Sequence, residues 1–197
     1  MSMKKIVLFG DSITAGYFKE AVSPVLINLI KERLYRLDLE DVTLVNAGMP
    51  GDTTEDGLKR LEKEVLQEKP DIVVIFFGAN DCSVDRPVSV TQYGENLEKM
   101  IREIGREKVV LITAPYVASG RRPERPKEKV AQIVLKGKEV AKNQQIPLID
   151  LYQTMTAYPE TETLLQVDGL HFSQLGYDLL ADLIVKEIKG RLVKKQG

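Results

Sequence analysis

Short apolar runs closed by glycine, proline or polar turn residues recur along the chain at residues 6–9, 42–45, 72–77, 109–112 and 146–149. Between them lie stretches with a helical repeat of apolar positions, at 25–37, 54–66, 93–104, 127–142 and 174–189. In the last of these, Tyr177, Leu180, Ala181, Ile184 and Ile188 fall on one stripe, the spacing of a helix that buries a single face. This alternation predicts β-α-β units and therefore a parallel sheet. The run 72–77 is apolar at every position, as a strand covered by helices on both faces requires, so it is expected at the centre. Together these elements predict an α/β fold, a three-layer α/β/α sandwich with five parallel strands, for which the flavodoxin-like order 2-1-3-4-5 is expected.

Turn and cap residues refine the boundaries. Ser173 is placed to cap the last helix, and Thr53 or Thr54 to cap the second, whose first turn carries Glu55 and Asp56 where acidic groups complement the helix dipole. Residues 114–126 hold Pro115, Gly120, Pro123 and Pro126 and read as a long loop. Its three arginines, Arg121, Arg122 and Arg125, are expected to be solvated.

Composition narrows the classes. A chain of 197 residues suits one domain, taken here as residues 1–197, with ample material for a core. The 28 basic and 29 acidic residues nearly cancel, which leaves no electrostatic footprint for nucleic acid or for an anionic membrane. Cys82 is the only cysteine, so no intrachain disulfide is possible and a cytoplasmic setting is expected. The apolar run at 6–9 is too short for a signal peptide or a membrane span, and no stable membrane anchoring is expected.

The candidate chemistry sits just after the strands. In open α/β sheets ligands bind beyond the carboxyl ends of the strands, where strand order reverses. Three polar segments occupy those positions: Gly10-Asp11-Ser12, the stretch from Asn46 to Thr53, and Gly78-Ala79-Asn80-Asp81. In the order 2-1-3-4-5 their loops are neighbours. A fourth segment, Asp168-Gly169-Leu170-His171, contains the only histidine of the chain. A serine becomes a nucleophile when a neutral imidazole takes its proton and a carboxylate fixes the imidazole tautomer. Ser12, His171 and Asp168 supply that set. A tetrahedral acyl intermediate also needs fixed donors around its oxyanion, and the N–H groups of Ser12 and Gly51 with the Asn80 side-chain amide would make three.

These four segments, in this order, resemble the four blocks of the SGNH hydrolases, the GDSL lipase/acylhydrolase superfamily. The resemblance spans nearly the whole chain and implies Ser12 as nucleophile, Gly51 and Asn80 as oxyanion donors beside Ser12, and Asp168 and His171 as the remaining triad members. Ile13 stands where the common motif has leucine, and Pro50 replaces a small serine often seen before the glycine. Residues 77–82, followed by Thr91-Gln92-Tyr93, are similar to the isoamyl acetate-hydrolysing esterase branch. The second block is closer to the lysophospholipase and thioesterase branch.

The implied activity is metal-independent serine ester hydrolysis through an acyl-enzyme, without a cofactor, on short-chain carboxylic esters. Lysophospholipids, acyl-thioesters and acetylated carbohydrates are the alternative substrates. A non-catalytic flavodoxin-like binding or scaffold protein is the alternative of another class. A metallophosphoesterase is disfavoured by the single histidine, a phosphate-loop NTPase by the missing Gly-x-x-x-x-Gly-Lys-Ser/Thr, and an α/β-hydrolase by the missing Gly-x-Ser-x-Gly. Asp11, Asp52 and Asp81 are expected to make turn and cap hydrogen bonds, and Cys82 to be a small packed residue. Tyr17, Phe18, Met49 and Tyr116 read either as acyl-pocket lining or as ordinary packing.

Overall fold

The computed structural model describes residues 3–86 and 88–193. Five parallel strands form the main sheet: β1 (Lys4–Gly10), β2 (Val42–Gly48), β3 (Ile72–Phe76), β4 (Val109–Ile112) and β5 (Leu148–Ile149). Their spatial order is β2-β1-β3-β4-β5, the expected flavodoxin-like order, with the wholly buried β3 in the middle. Gly10 pairs with Gly48 on one side and with Phe76 on the other, so three strands finish level and their following loops open on one edge.

Among the described residues seven α-helices flank the sheet: α1 (Ser12–Ala15), α2 (Val25–Tyr35), α3 (Thr54–Leu61), α4 (Val90–Ile104), α5 (Lys127–Gln144), α6 (Leu151–Thr156) and α7 (Gln174–Val193). α2 packs against α7, and α4 packs against both α3 and α5. The predicted stripe of α7 is buried throughout, from Tyr177 to Ile188. Phe9 and Phe77 meet edge to face with ring centroids 5.0 Å apart, the arrangement that aromatic quadrupoles prefer. Among the described residues no helix is long and apolar enough to cross a membrane.

The caps follow the sequence. The Thr53 side chain accepts from the N–H of Asp56 while the Asp56 carboxylate accepts from the N–H of Thr53, a reciprocal box that starts α3. Ser89 and Gln92 build the same box for α4, which therefore begins at Val90, earlier than its apolar repeat suggests. Ser173 accepts from the N–H of Gly176 at 3.2 Å at the start of α7.

Several boundaries differ from the expected ones for local reasons. The last strand is only Leu148–Ile149, because the N–H of Ile146 closes the C-terminus of α5 on Ala141 and Pro147 has no N–H to give a ladder. α3 does not continue regularly to residue 66: after Leu61 it widens into a π turn at Glu62–Leu66. A two-stranded hairpin, Tyr17–Phe18 with Ala21–Val22, turns through Lys19 and Glu20 at positive φ, where neither residue type signals a turn. Cys82 is fully buried and unpaired, as expected, and burial pushes its thiol up to about 12.

Candidate active site

β1 delivers Ser12 directly. At Gly10 a Cβ would lie 2.1 Å from Thr14 Oγ1 and 2.2 Å from the Phe76 carbonyl, so only glycine allows the chain to turn there from strand into α1. Asp11 caps that helix by accepting from the N–H of Ile13 at 2.9 Å, the cap role expected of it. Burial pushes the Asp11 carboxyl up to about 7, against the opposing pull of that N–H.

At the other end of the chain, Asp168 folds the turn that carries His171. Its Oδ1 accepts from the N–H groups of Leu170 and His171, both at 3.0 Å, while Gly169 takes the positive φ of +74° that the turn requires. Its Oδ2 meets His171 Nδ1 at 2.5 Å. That contact fixes the tautomer with the proton on Nδ1, which leaves the Nε2 lone pair to accept from Ser12 Oγ–H at 3.0 Å. Ser12, His171 and Asp168 are thus connected in one line from residues 159 positions apart. The Tyr17 ring lies against the His171 imidazole, centroids 4.2 Å apart, and limits how the ring can turn.

The electrostatics favour a resting pair of carboxylate and neutral imidazole. Partial burial works against the Asp168 carboxylate, but the Leu170 and His171 N–H groups and the imidazole outweigh it and hold its pKa below the usual range. For His171, burial is the largest influence and lowers the pKa; Asp168 pulls the other way, while Arg122 and Arg125 add to the lowering.

The remaining donors come from two loops. Gly51 sits at φ +86°, which glycine tolerates and other residues resist, in the turn after β2. Among the described residues the N–H groups of Ser12 and Gly51 find no protein acceptor. Asn80 is 6% exposed, and its Nδ2 donates to the Asp52 carbonyl at 2.9 Å, which brings the loop after β3 against the Gly51 turn. An amide nitrogen has two N–H groups, so a second remains. The five expected residues thus lie on loops that the structure draws together.

What joins these loops is less visible in the sequence. Arg60 on α3 donates to the carbonyls of Gly10 and Ala47 at 2.8 and 2.7 Å and to the Asp52 carboxylate at 2.6 Å, with Phe9 stacked beneath its guanidinium. Asp52 closes its turn as expected, its N–H donating to the Met49 carbonyl at 3.2 Å, but its side chain is the partner of Arg60 and caps no helix. Asp81 does act as a cap, though for a distant helix: its Oδ1 accepts from Thr54 N–H at 3.0 Å and Thr54 Oγ–H at 2.5 Å at the start of α3. Burial pushes its carboxyl up to about 6.

The arginines of segment 114–126 correct a second expectation. Arg122 donates from Nε to the Asp168 carbonyl at 2.8 Å and from Nη2 to its carboxylate at 3.1 Å. Arg125 is only 8% exposed and reaches Ala79 and Asn80. Arg121 pairs with Glu162. Arg122 and Arg125 are thus not simply solvated, because the segment crosses between the turn of Asp168 and the loop of Asn80, whereas Arg121 is exposed, as expected.

A groove of about 820 Å³ beside Asp168 is lined by Tyr17, Phe18, Lys19, Glu20, Gln166 and Val167 among others. Tyr116 instead lines a separate cleft with Val117 and Tyr152, and Met49 stands exposed at the turn before Gly51. Among the described residues no cluster of three or more His, Cys, Asp or Glu side chains is arranged to hold a metal ion.

The GDSL-like lipase/acylhydrolase family matches residues 8–179. The crystal structure of a lipase/acylhydrolase from Enterococcus faecalis superposes with a TM-score of 0.95 at 64% identity, covering 99% of this chain and all of that one. An isoamyl acetate-hydrolyzing esterase of Schizosaccharomyces pombe is 29% identical over 93% of this chain and 74% of its own length. The acetyl xylan esterase AlAXEase superposes with a TM-score of 0.80 at 25% identity, covering 93% of this chain and 99% of that one.

Proposed function

The chain belongs to the GDSL-like lipase/acylhydrolase family and is a carboxylic ester hydrolase, and from that premise we propose that it acts through an acyl-enzyme on Ser12 with short-chain esters as substrates. The observation that carries this reading is the continuous relay from Ser12 Oγ through His171 to Asp168. As Ser12 Oγ forms a bond to the ester carbonyl carbon, its proton passes to His171 Nε2, and the carbonyl oxygen becomes an oxyanion. Ser12 N–H, Gly51 N–H and the free N–H of Asn80 donate to that oxygen. The tetrahedral species then expels the alcohol, which takes the proton from His171. Water repeats the sequence on the acyl-enzyme, regenerating Ser12 and releasing the acid. Asp168 stays ionised and stabilises the imidazolium that forms at each step.

The short acyl group is supported by two relatives whose names specify acetyl esters, isoamyl acetate for one and acetyl xylan for the other. No step calls for a metal or an organic cofactor. We take residues 1–197 as one catalytic domain, and a cytoplasmic setting goes with the buried, unpaired Cys82. The test is a chain-length series of p-nitrophenyl esters with chelator present throughout. The expected result is turnover that is highest for acetate and falls with acyl length. Turnover that rises with acyl length favours the lysophospholipase reading, and no turnover anywhere in the series contradicts ester hydrolysis by this site.

Two further outcomes follow from the geometry. Asn80→Ala removes one oxyanion donor and should lower kcat on the order of 10²- to 10³-fold with the fold intact, measured on p-nitrophenyl acetate. Activity should also fall on acidification as His171 gains a proton and can no longer accept from Ser12. Because burial lowers the His171 pKa from its ordinary 6.5, the midpoint of the acid limb in kcat/KM is expected below 6.5. A midpoint above that value would mean that Asp168 outweighs burial at the imidazole, and a flat profile down to about pH 5 would remove His171 as the essential base.

A further inference from the structure

We propose that Arg125 is a positioning residue of this reaction: it fixes the side-chain amide of Asn80 in the one orientation that presents N–H to the oxyanion. The inference rests on the oxyanion role of Asn80 given above. Asn80 has two nearly isosteric ends, one a donor and one an acceptor, and rotation by half a turn exchanges them. In the wrong orientation a carbonyl oxygen would face the developing negative charge and destabilise it.

Both partners of the amide select against that orientation. Arg125 Nη2 donates to Asn80 Oδ1 at 3.2 Å, and Asn80 Nδ2 donates to the Asp52 carbonyl at 2.9 Å. A flip would set donor against donor at Arg125 and acceptor against acceptor at Asp52. A guanidinium cannot deprotonate in a protein and accepts no hydrogen bond, so its preference is the same at every working pH. Its charge also draws electron density toward Oδ1 and makes the opposite N–H a stronger donor.

Arg125 is itself held firmly. Its Nε donates to the Ala79 carbonyl at 2.8 Å, and its Nη1 pairs with the neighbouring Glu124 carboxylate. At 8% exposure the guanidinium is almost withdrawn from water, a cost that a merely solvated loop arginine does not bear. The segment that carries it is tied at its other end to the turn of Asp168 by Arg122 and by Ala118 N–H, which donates to the Gly169 carbonyl at 2.9 Å.

The test is a double-mutant cycle on the full chain with p-nitrophenyl acetate, with thermal melting for each variant. Arg125→Lys keeps the charge but loses the planar fork that spans Ala79 and Asn80. The expected result is a kcat lowered at least about tenfold with KM nearly unchanged, since the loss concerns an interaction made in the transition state. In the Asn80→Ala background the same substitution should change kcat less than about twofold, because no amide remains to be oriented. Equal losses in the two backgrounds would overturn the inference, because Arg125 would then act independently of Asn80. An unchanged kcat in Arg125→Lys would also overturn it. If Asn80→Ala alone leaves kcat at the wild-type value, the oxyanion assignment fails and takes the inference with it. Should Arg125→Lys not fold, Arg125→Gln, which keeps a donor without the charge, is read in the same cycle.

Discussion

Ser12→Ala is expected to lower kcat on p-nitrophenyl acetate by at least about 10⁴-fold, on the scale seen when the nucleophile of a triad is removed, while the melting temperature stays near that of the wild type. The size of the loss follows from the mechanism: without Oγ no acyl-enzyme forms, and only the oxyanion donors and substrate binding remain to assist direct attack by water. Structural cost should be small. The α1 cap is made by Asp11 and not by Ser12, and among the described residues the Ser12 hydroxyl is bonded to His171 alone. Residual activity within tenfold of the wild type would point to a nucleophile other than Ser12.

The second large effect is expected for Asp168→Asn, about 10⁴-fold in kcat. The asparagine oxygen can still accept from the N–H groups of Leu170 and His171, so the turn should survive. Its amide nitrogen, however, would replace Oδ2, the atom that now meets both His171 Nδ1 and Arg122 Nη2. Two donors would face a third. His171 relieves the conflict by moving its proton to Nε2, and in that tautomer it cannot accept from Ser12. The variant should therefore melt close to the wild type yet turn over very slowly. A loss of activity that merely tracks a fall in stability would assign Asp168 to the fold and not to the chemistry.

The residues of the relay could be read from the chain because each stands immediately beyond a strand or beside a unique residue. β3 is a continuous apolar run and β1 and β2 are built on the largely apolar stretches 6–9 and 42–45, and the polar residues that follow them are conspicuous. The flavodoxin-like order of the sheet then places the three loops together. His171 is conspicuous as the only imidazole. The short elements escaped: α6 has six residues, too few for a helical repeat, and the hairpin at Tyr17 turns through a lysine and a glutamate.

The bracing residues escaped for another reason. Arg60, Arg122 and Arg125 look the same in sequence whether they lie in solvent or clamp a carbonyl, and their partners are far along the chain. Arg125 reaches residues 45 and 46 positions away, and Arg60 reaches one 50 positions away. Asp52 stands only eight positions from Arg60 and its turn is local and legible, but the pairing of its side chain depends on how α3 lies across the strand ends. Local chemistry thus marks the groups that react, and tertiary contacts decide what holds them still.

The central claim is that Ser12 becomes covalently acylated, and an electrophile that stops at that stage tests it most directly. A fluorophosphonate should form one phosphorus–oxygen bond to Ser12 Oγ with loss of fluoride, abolish hydrolysis, and appear by mass spectrometry as a single adduct on the peptide containing Ser12. Ser12→Ala should then take up no reagent. An adduct mapped to another residue in a fully inactivated wild type, or equal labelling of Ser12→Ala, would contradict the account.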